Sequence, residues 1–235
     1  MKFYDYLDIP PGSQMNSVLN AALNEVSILQ NVPDVQCWLY PTSPANSKIG
    51  LLSVPATVAD EKKFFGKGNL KLSGKNPPEF DPIIVIRDDC REPHITALHE
   101  LGHCLDYLLE LHEQSCMFGF QEPNQYYSTH LRPTLDSWWG AIQESKLFID
   151  KKGMKSVKAS KSPEYVKIVE TLKSDLLPHE MFACSFAQFI ARKNGKFNVE
   201  LKRLTLKPIL DQRYWDAQDF SAIEAALEAY LKPYF

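Results

Sequence analysis

The sequence predicts an α+β fold in which a small mixed sheet packs on one long helix and the C-terminal half is mostly helical. Three observations predict it. Pro82-Ile83-Ile84-Val85-Ile86-Arg87 is a short, apolar, β-branched run of the kind that forms a strand. Directly downstream, Ile95, Leu98, Leu101, Leu105, Leu108 and Leu109 recur at helical spacing. From Thr134 onward, successive apolar sets keep that same period.

In chain order, Met15, Val18, Leu19, Ala22, Val26 and Leu29 predict an amphipathic helix over Ser13–Gln30, opening after Pro10-Pro11-Gly12. Short runs rich in β-formers follow at Gln36–Tyr40 and Ile49–Val54, broken by Pro, Ser and Asn turns. Gly66, Gly68 and Gly74 with interspersed lysines mark an exposed loop or weak hairpin that Pro77-Pro78 ends. The strand at 82–87 closes on Asp88-Asp89, and Glu92-Pro93 starts the long helix, which reaches to about His112. On it, His94 and His112 fall away from the apolar face by helical phase and are expected in solvent.

A helix over Thr134–Asp150 carries Leu135, Trp138, Trp139, Ile142, Leu147 and Phe148. Lys151–Ser162 has five lysines and no acid and is expected to be a solvated, mobile loop. Helices over Glu164–Asp175, Pro178–Asn194 and Asp219–Leu231 complete the chain, the second capped at Asn194-Gly195 and the last at Asp219 or Ser221. With no internal repeat and no clear linker, one domain over 1–235 is the simplest organisation: 1–92 helix plus sheet, 93–112 the central helix, 113–175 an inserted helical and loop region, and 176–235 a helical part.

A chain of 235 residues with 44% hydrophobic and 23% charged side chains has the composition of an ordinary globular protein. A net charge of −3 gives no reason to expect nucleic acid or a membrane as the main partner. There is no run of eighteen apolar residues, so no transmembrane helix is expected. The N-terminus places acidic residues where a signal peptide carries its apolar segment, so the expectation is a cytoplasmic protein, or an effector or phage-encoded protein delivered without such a signal. Five scattered cysteines (Cys37, Cys90, Cys104, Cys116 and Cys184), with no C-x-x-C pair, argue for a reducing compartment. Cys104 and Cys184 sit in apolar helical stretches and read as small core residues.

The chemistry concentrates on the long helix. His99-Glu100-Leu101-Gly102-His103 is an H-E-x-x-H pentapeptide, with odds of about one in a hundred of arising by chance in a chain of this composition. Positions i and i+4 share a helix face, so His99 and His103 can grip one metal ion, and Glu100 stands beside them as a general base for a water on the metal. Gly102 in mid-helix costs about 1 kcal/mol relative to Ala, which suggests a close approach to its backbone. A catalytic zinc takes three protein ligands. A third ligand of the His-type zincins would stand at Leu109, with a glycine at Asp106, so that class is excluded.

The other source is a Glu on a later helix, and Glu180 in the stretch from Pro178 to Ile190 meets the demand. Phe182, Phe186, Phe189 and Ile190 mark its buried side, while Ala183 and Ala187 permit close helix approach. Spacing alone leaves open whether Glu180 is a ligand or a first-turn acid favoured by the helix dipole. Asp106, three residues after His103, is either a carboxylate that orients a ligand histidine or a surface partner of a Lys or Arg.

His99-Glu100-Leu101-Gly102-His103, followed later by Glu180-Met181-Phe182-Ala183-Cys184-Ser185-Phe186-Ala187, resembles the gluzincin metallopeptidases related to the catalytic domain of anthrax-toxin lethal factor, and zinc-peptidase-like modules of phage and mobile elements. The likeness covers two helices, about Ile95–Tyr107 and His179–Ile190. It implies a zincin-like fold, zinc as cofactor, His99, His103 and Glu180 as ligands, and Glu100 as general base. Two departures stand out. A segment of 76 residues separates His103 from Glu180, longer than the family's. The tyrosine that the family places just before the ligand Glu to hold the oxyanion is missing from Ser174-Asp175-Leu176-Leu177. Candidates for that role are His179, Tyr165, Tyr126, Tyr127 and His130.

The expected activity is zinc-dependent hydrolysis of peptide bonds in a protein or peptide substrate, which could lie along an exposed edge strand. Specificity would reside in Glu113–Arg132 and Lys151–Ser162. The alternatives are a zinc site that is catalytically idle in a protein acting by binding a partner protein, which the missing tyrosine keeps open, and an ordinary helix that holds no metal.

Overall fold

The computed structural model describes residues 7–8, 16–32, 49–54, 83–87, 90–118, 132–156, 163–194 and 199–235. The chain divides into two compact units, Met1–Glu122 with Pro233–Phe235, and Pro123–Lys232. Helix dominates the described residues, and this corrects the expected α+β class. The strands among them are short: β1 (Leu7–Asp8), β2 (Ile49–Val54) and β3 (Ile83–Arg87). They pair in the order β1-β2-β3 and only in parallel, so the mixed sheet is corrected as well. A β-branched run identifies a strand but carries no sign of its direction. Continuous runs such as Ile83-Ile84-Val85-Ile86 are in fact the pattern of parallel strands. The expected strand at Gln36–Tyr40 and the glycine-rich loop at 66–74 lie outside the described residues.

In the first unit, α1 (Asn16–Val26) packs against α2 (Pro93–Phe118), and β3 meets α2. Leu19, Ala22, Leu23 and Val26 bury the inner face of α1, while Ile95, Leu98, Leu101, Leu105 and Leu109 bury that of α2. Pro93 opens α2, where its missing N–H costs nothing. His94, expected in solvent, faces α1 instead: its Nε2 lies 3.4 Å from Glu25 Oε1, with both side chains mostly covered. Past the end of α1, the Gln30 and Asn31 amides donate to the Tyr234 carbonyl at 2.7 and 3.2 Å, fastening the C-terminal residues to this unit.

The second unit is helical throughout its described residues. Its helices are α3 (Asp136–Glu144), α4 (Lys146–Ser156), α5 (Pro163–Asp175), α6 (Pro178–Lys193), α7 (Val199–Thr205) and α8 (Phe220–Leu231). The pairs α3–α4, α4–α5, α5–α6, α3–α8 and α6–α8 pack together. The single helix expected over Thr134–Asp150 breaks at Ser145. That hydroxyl donates to the Ile142 carbonyl at 2.7 Å and accepts from the Phe148 amide at 3.3 Å, ending one helix and capping the next. The lysine-rich stretch is also corrected, because Lys151–Ser156 continues α4 and Lys151 is fully buried. Asp219 does not cap α8. Its carboxylate accepts from the Lys146 and Leu147 amides at 2.7 and 3.1 Å and so caps α4. Asp216 takes the expected place, accepting from the Gln218 and Asp219 amides. The sequence showed no sign of α7.

The centre of this unit is aromatic and threaded by hydrogen bonds. Trp138 Nε1 donates to Ser185 Oγ at 3.0 Å, and that hydroxyl donates to the Phe182 carbonyl. Gln188 Nε2 donates to the Trp215 carbonyl at 2.8 Å while Gln188 Oε1 accepts the Trp215 amide at 3.0 Å. Trp215 Nε1 in turn donates to Ser145 Oγ at 3.1 Å. Arg192 makes two contacts of 3.1 Å to Glu224, joining α6 to α8. Gln188 is buried, so a leucine there strands two backbone groups of Trp215. Gln188→Leu is expected to lower stability by about 2 kcal/mol or more, read as a fall in the urea midpoint; an unchanged midpoint would show that this pairing is dispensable.

Candidate metal centre

The first half of the predicted ligand set lies on α2 within the first unit. Helical spacing carries His99 and His103 onto one face, and their Nε2 atoms converge to 3.1 Å. The rings stand edge to face, with centroids 4.7 Å apart. Two nitrogens bound tetrahedrally at zinc–nitrogen lengths stand about 3.3 Å apart, so the pair already has nearly the bite that a zinc ion requires. His99 is buried and His103 is part-exposed, giving the pair one covered and one accessible member. Glu100 is buried at 6% exposure, a position a carboxylate keeps only with a polar or ionic partner. Gly102 is buried as well.

Asp106 is 5% exposed, which removes the alternative of a pairing out in solvent. It stands one turn beyond His103 on the same helix, at the spacing where side chains on a helix face meet.

The other candidate ligand, Glu180, is described within the second unit. Leu177 in extended conformation precedes Pro178, which sets α6 going, and Glu180 falls in its first turn. The side chain is 25% exposed, and its Oε1 lies 3.9 Å from His179 Nε2. Behind it, Lys151, Asp175, Glu180, Met181, Cys184 and Arg213 line one small cavity. Asp175 accepts Lys151 Nζ at 2.8 Å on one carboxylate oxygen and meets Arg213 Nη2 at 3.2 Å on the other. Among the described residues, the side chains that could hold a metal ion are His99, His103 and Glu180.

Of the oxyanion candidates, His179 is 48% exposed beside Glu180. Tyr165 falls on α5. Tyr126, Tyr127 and His130 lie outside the described residues. Sequence reasoning missed Arg132, which is 5% exposed. Its guanidinium carbon lies 5.9 Å from the ring centres of both Phe182 and Tyr230, and its Nη1 donates to the Tyr230 hydroxyl at 3.3 Å. An arginine before a proline at the edge of an irregular stretch gives no signal of burial. The Lys151–Asp175–Arg213 group was missed for the same kind of reason: Lys151 opens a run of lysines that reads as solvated.

The chain matches no family model, no curated protein and no solved structure. No helix among the described residues is long and apolar enough to cross a membrane.

Cys104 and Cys184 are buried, and burial pushes both thiols well above their usual range. A protonated, covered thiol is neither a nucleophile nor a ready ligand. Both cysteines are therefore expected to resist iodoacetamide at pH 8 in the folded protein and to react once it is unfolded, as read by peptide mass mapping; labelling of either in the folded state would contradict their burial.

Proposed function

We propose that this protein is a zinc-dependent peptidase of the gluzincin type. The observation that carries the reading is the His99–His103 pair, whose two Nε2 atoms stand 3.1 Å apart on a helix that also supplies Glu100 between them. His99, His103 and Glu180 would hold the ion, a two-nitrogen, one-carboxylate set that suits zinc and leaves a coordination position open. When bound, the ion supplies Lewis-acid polarisation of a scissile carbonyl and eases deprotonation of water. The likeness of the two motif helices to the gluzincins supports Glu180 in this role.

The remaining chemistry falls to the chain's own side chains. Glu100 takes a proton from the attacking water and delivers it to the departing amine, a transfer between two oxygen and nitrogen centres that one carboxylate can serve in sequence. The buried setting of Glu100 keeps bulk water from competing for that proton. Asp106, one turn beyond His103, acts as an acceptor that fixes the imidazole's orientation. His179, exposed beside Glu180, would donate to a developing oxyanion.

Two variants separate the roles. Glu100→Gln preserves shape and leaves every metal ligand in place, so zinc content is expected to stay at the wild-type level. Turnover of a peptide library should fall by about a hundredfold or more; substantial residual cleavage would remove Glu100 as the base. Glu180→Ala is expected to weaken zinc retention beyond the 10–100-fold that loss of a supporting group costs, or roughly a hundredfold and more. Competition with a chromogenic chelator measures it, and unchanged affinity would take Glu180 out of the site. A protein that keeps zinc and cleaves nothing in a proteome extract would instead be the idle, partner-binding form.

A further inference from the structure

Among the described residues, four charged side chains line the small cavity behind the first turn of α6: Lys151, Asp175, Glu180 and Arg213, with Met181 and Cys184 between them. The space they enclose has no room for a water molecule, so the charges face one another without solvent in between. Lys151 Nζ takes one oxygen of Asp175 at 2.8 Å, and Arg213 Nη2 lies 3.2 Å from the other. Two cations thus share one carboxylate, and the second acid on this wall is Glu180. The four charges cancel when Glu180 is ionised, which is the state in which a carboxylate binds a metal.

Arg213 is the cation that feels Glu180. Burial works against its charge, but the groups facing it, Asp175 and Glu180 among them, outweigh that and hold the guanidinium charged above the usual arginine range. Asp175 fixes one edge of the guanidinium. The group carries five N–H donors in a planar fork, so an anchored arginine can still donate to a second acid. Lys151, by contrast, is fully buried and spends its ammonium on Asp175.

We propose that Arg213, anchored by Asp175, is a positioning residue that orients the Glu180 carboxylate towards the metal ion, a role that rests on the reading of Glu180 as a ligand. A cation near a metal site also repels the ion, so two effects oppose each other. The Arg213 side chain is 36% exposed and already paired with Asp175, which screens the repulsion. Partners that orient a metal ligand are worth about 10–100-fold in affinity. Orientation therefore wins, and loss of Arg213 weakens metal binding.

The test is the zinc affinity of the whole chain, measured by competition with chelators, for Arg213→Gln, Glu180→Ala and the double variant. Arg213→Gln is expected to weaken zinc binding about tenfold or more. In the Glu180→Ala background the same change should have little further effect, because the group it orients is gone. A general loosening of the fold would weaken both backgrounds alike, so the cycle separates positioning from support. Arg213→Lys keeps a cation against Asp175 and gives the same comparison, with a smaller loss, should the glutamine variant not fold.

Unchanged or tighter zinc binding in Arg213→Gln, or an equal loss in both backgrounds, would overturn the positioning role while a weakened Glu180→Ala keeps the ligand reading. Unchanged affinity in Glu180→Ala would overturn both. Coupled losses in a protein that cleaves no peptide support the role of Arg213 and refute the peptidase reading.

Discussion

A buried imidazole on an apolar helix needs its polar nitrogens satisfied, and on α2 the Nε2 of buried His99 meets the Nε2 of part-exposed His103 across 3.1 Å. A neutral pair shares one hydrogen bond in this way, and a metal ion would replace that proton by a bond to both rings. Apolar packing holds the helix that carries the pair. Leu98, Leu101, Leu105 and Leu109 lock the helix against its neighbours, and α1 covers it with Leu19, Leu23 and Val26. Histidines at this spacing on a mobile or solvated helix would give the same motif without the same convergence.

The second unit solves a related problem with charge instead of neutral donors. Lys151 has no exposure to solvent, and burial of an ammonium is tolerated only because Asp175 accepts it at 2.8 Å. Asp175 is the last residue of α5, Lys151 sits mid-way along α4, and Arg213 comes from the turn before Trp215. One carboxylate therefore ties three parts of the chain together directly behind the first turn of α6. The position of Glu180 depends on that turn, whose start is set locally by Leu177 and Pro178.

Local signals were readable where one residue type fixes the backbone or one period fills an element. Pro93 and Pro178 mark the starts of α2 and α6, the leucine spacing gives the length of α2 through the motif, and Ile83–Arg87 is a strand. The convergence of His99 and His103 was legible because i and i+4 geometry needs nothing beyond the helix itself. What stayed hidden depends on partners distant in sequence. Strand direction depends on neighbours, which is why a mixed sheet was expected where the pairing is parallel. His94 reads as exposed by phase, but Glu25 on another helix covers it. Lys151 looks like the first of five solvated lysines, and only Asp175 makes its burial possible. Ser145 looks unremarkable within a helical period until its hydroxyl is seen capping α4 while accepting from Trp215.

The cap on α4 has a consequence for the order in which the second unit assembles. Two of the first amides of that helix are satisfied by Asp219, a residue 73 and 72 positions away. Loop-closure entropy must be met before so distant a contact can form. On a ribosome, α4 would therefore emerge with a frayed first turn, steadied only by Ser145, and would firm up once Asp219 had been synthesised and had folded back. The buried Lys151, little more than a turn further along, depends on a nearer partner, since Asp175 lies only 24 positions away.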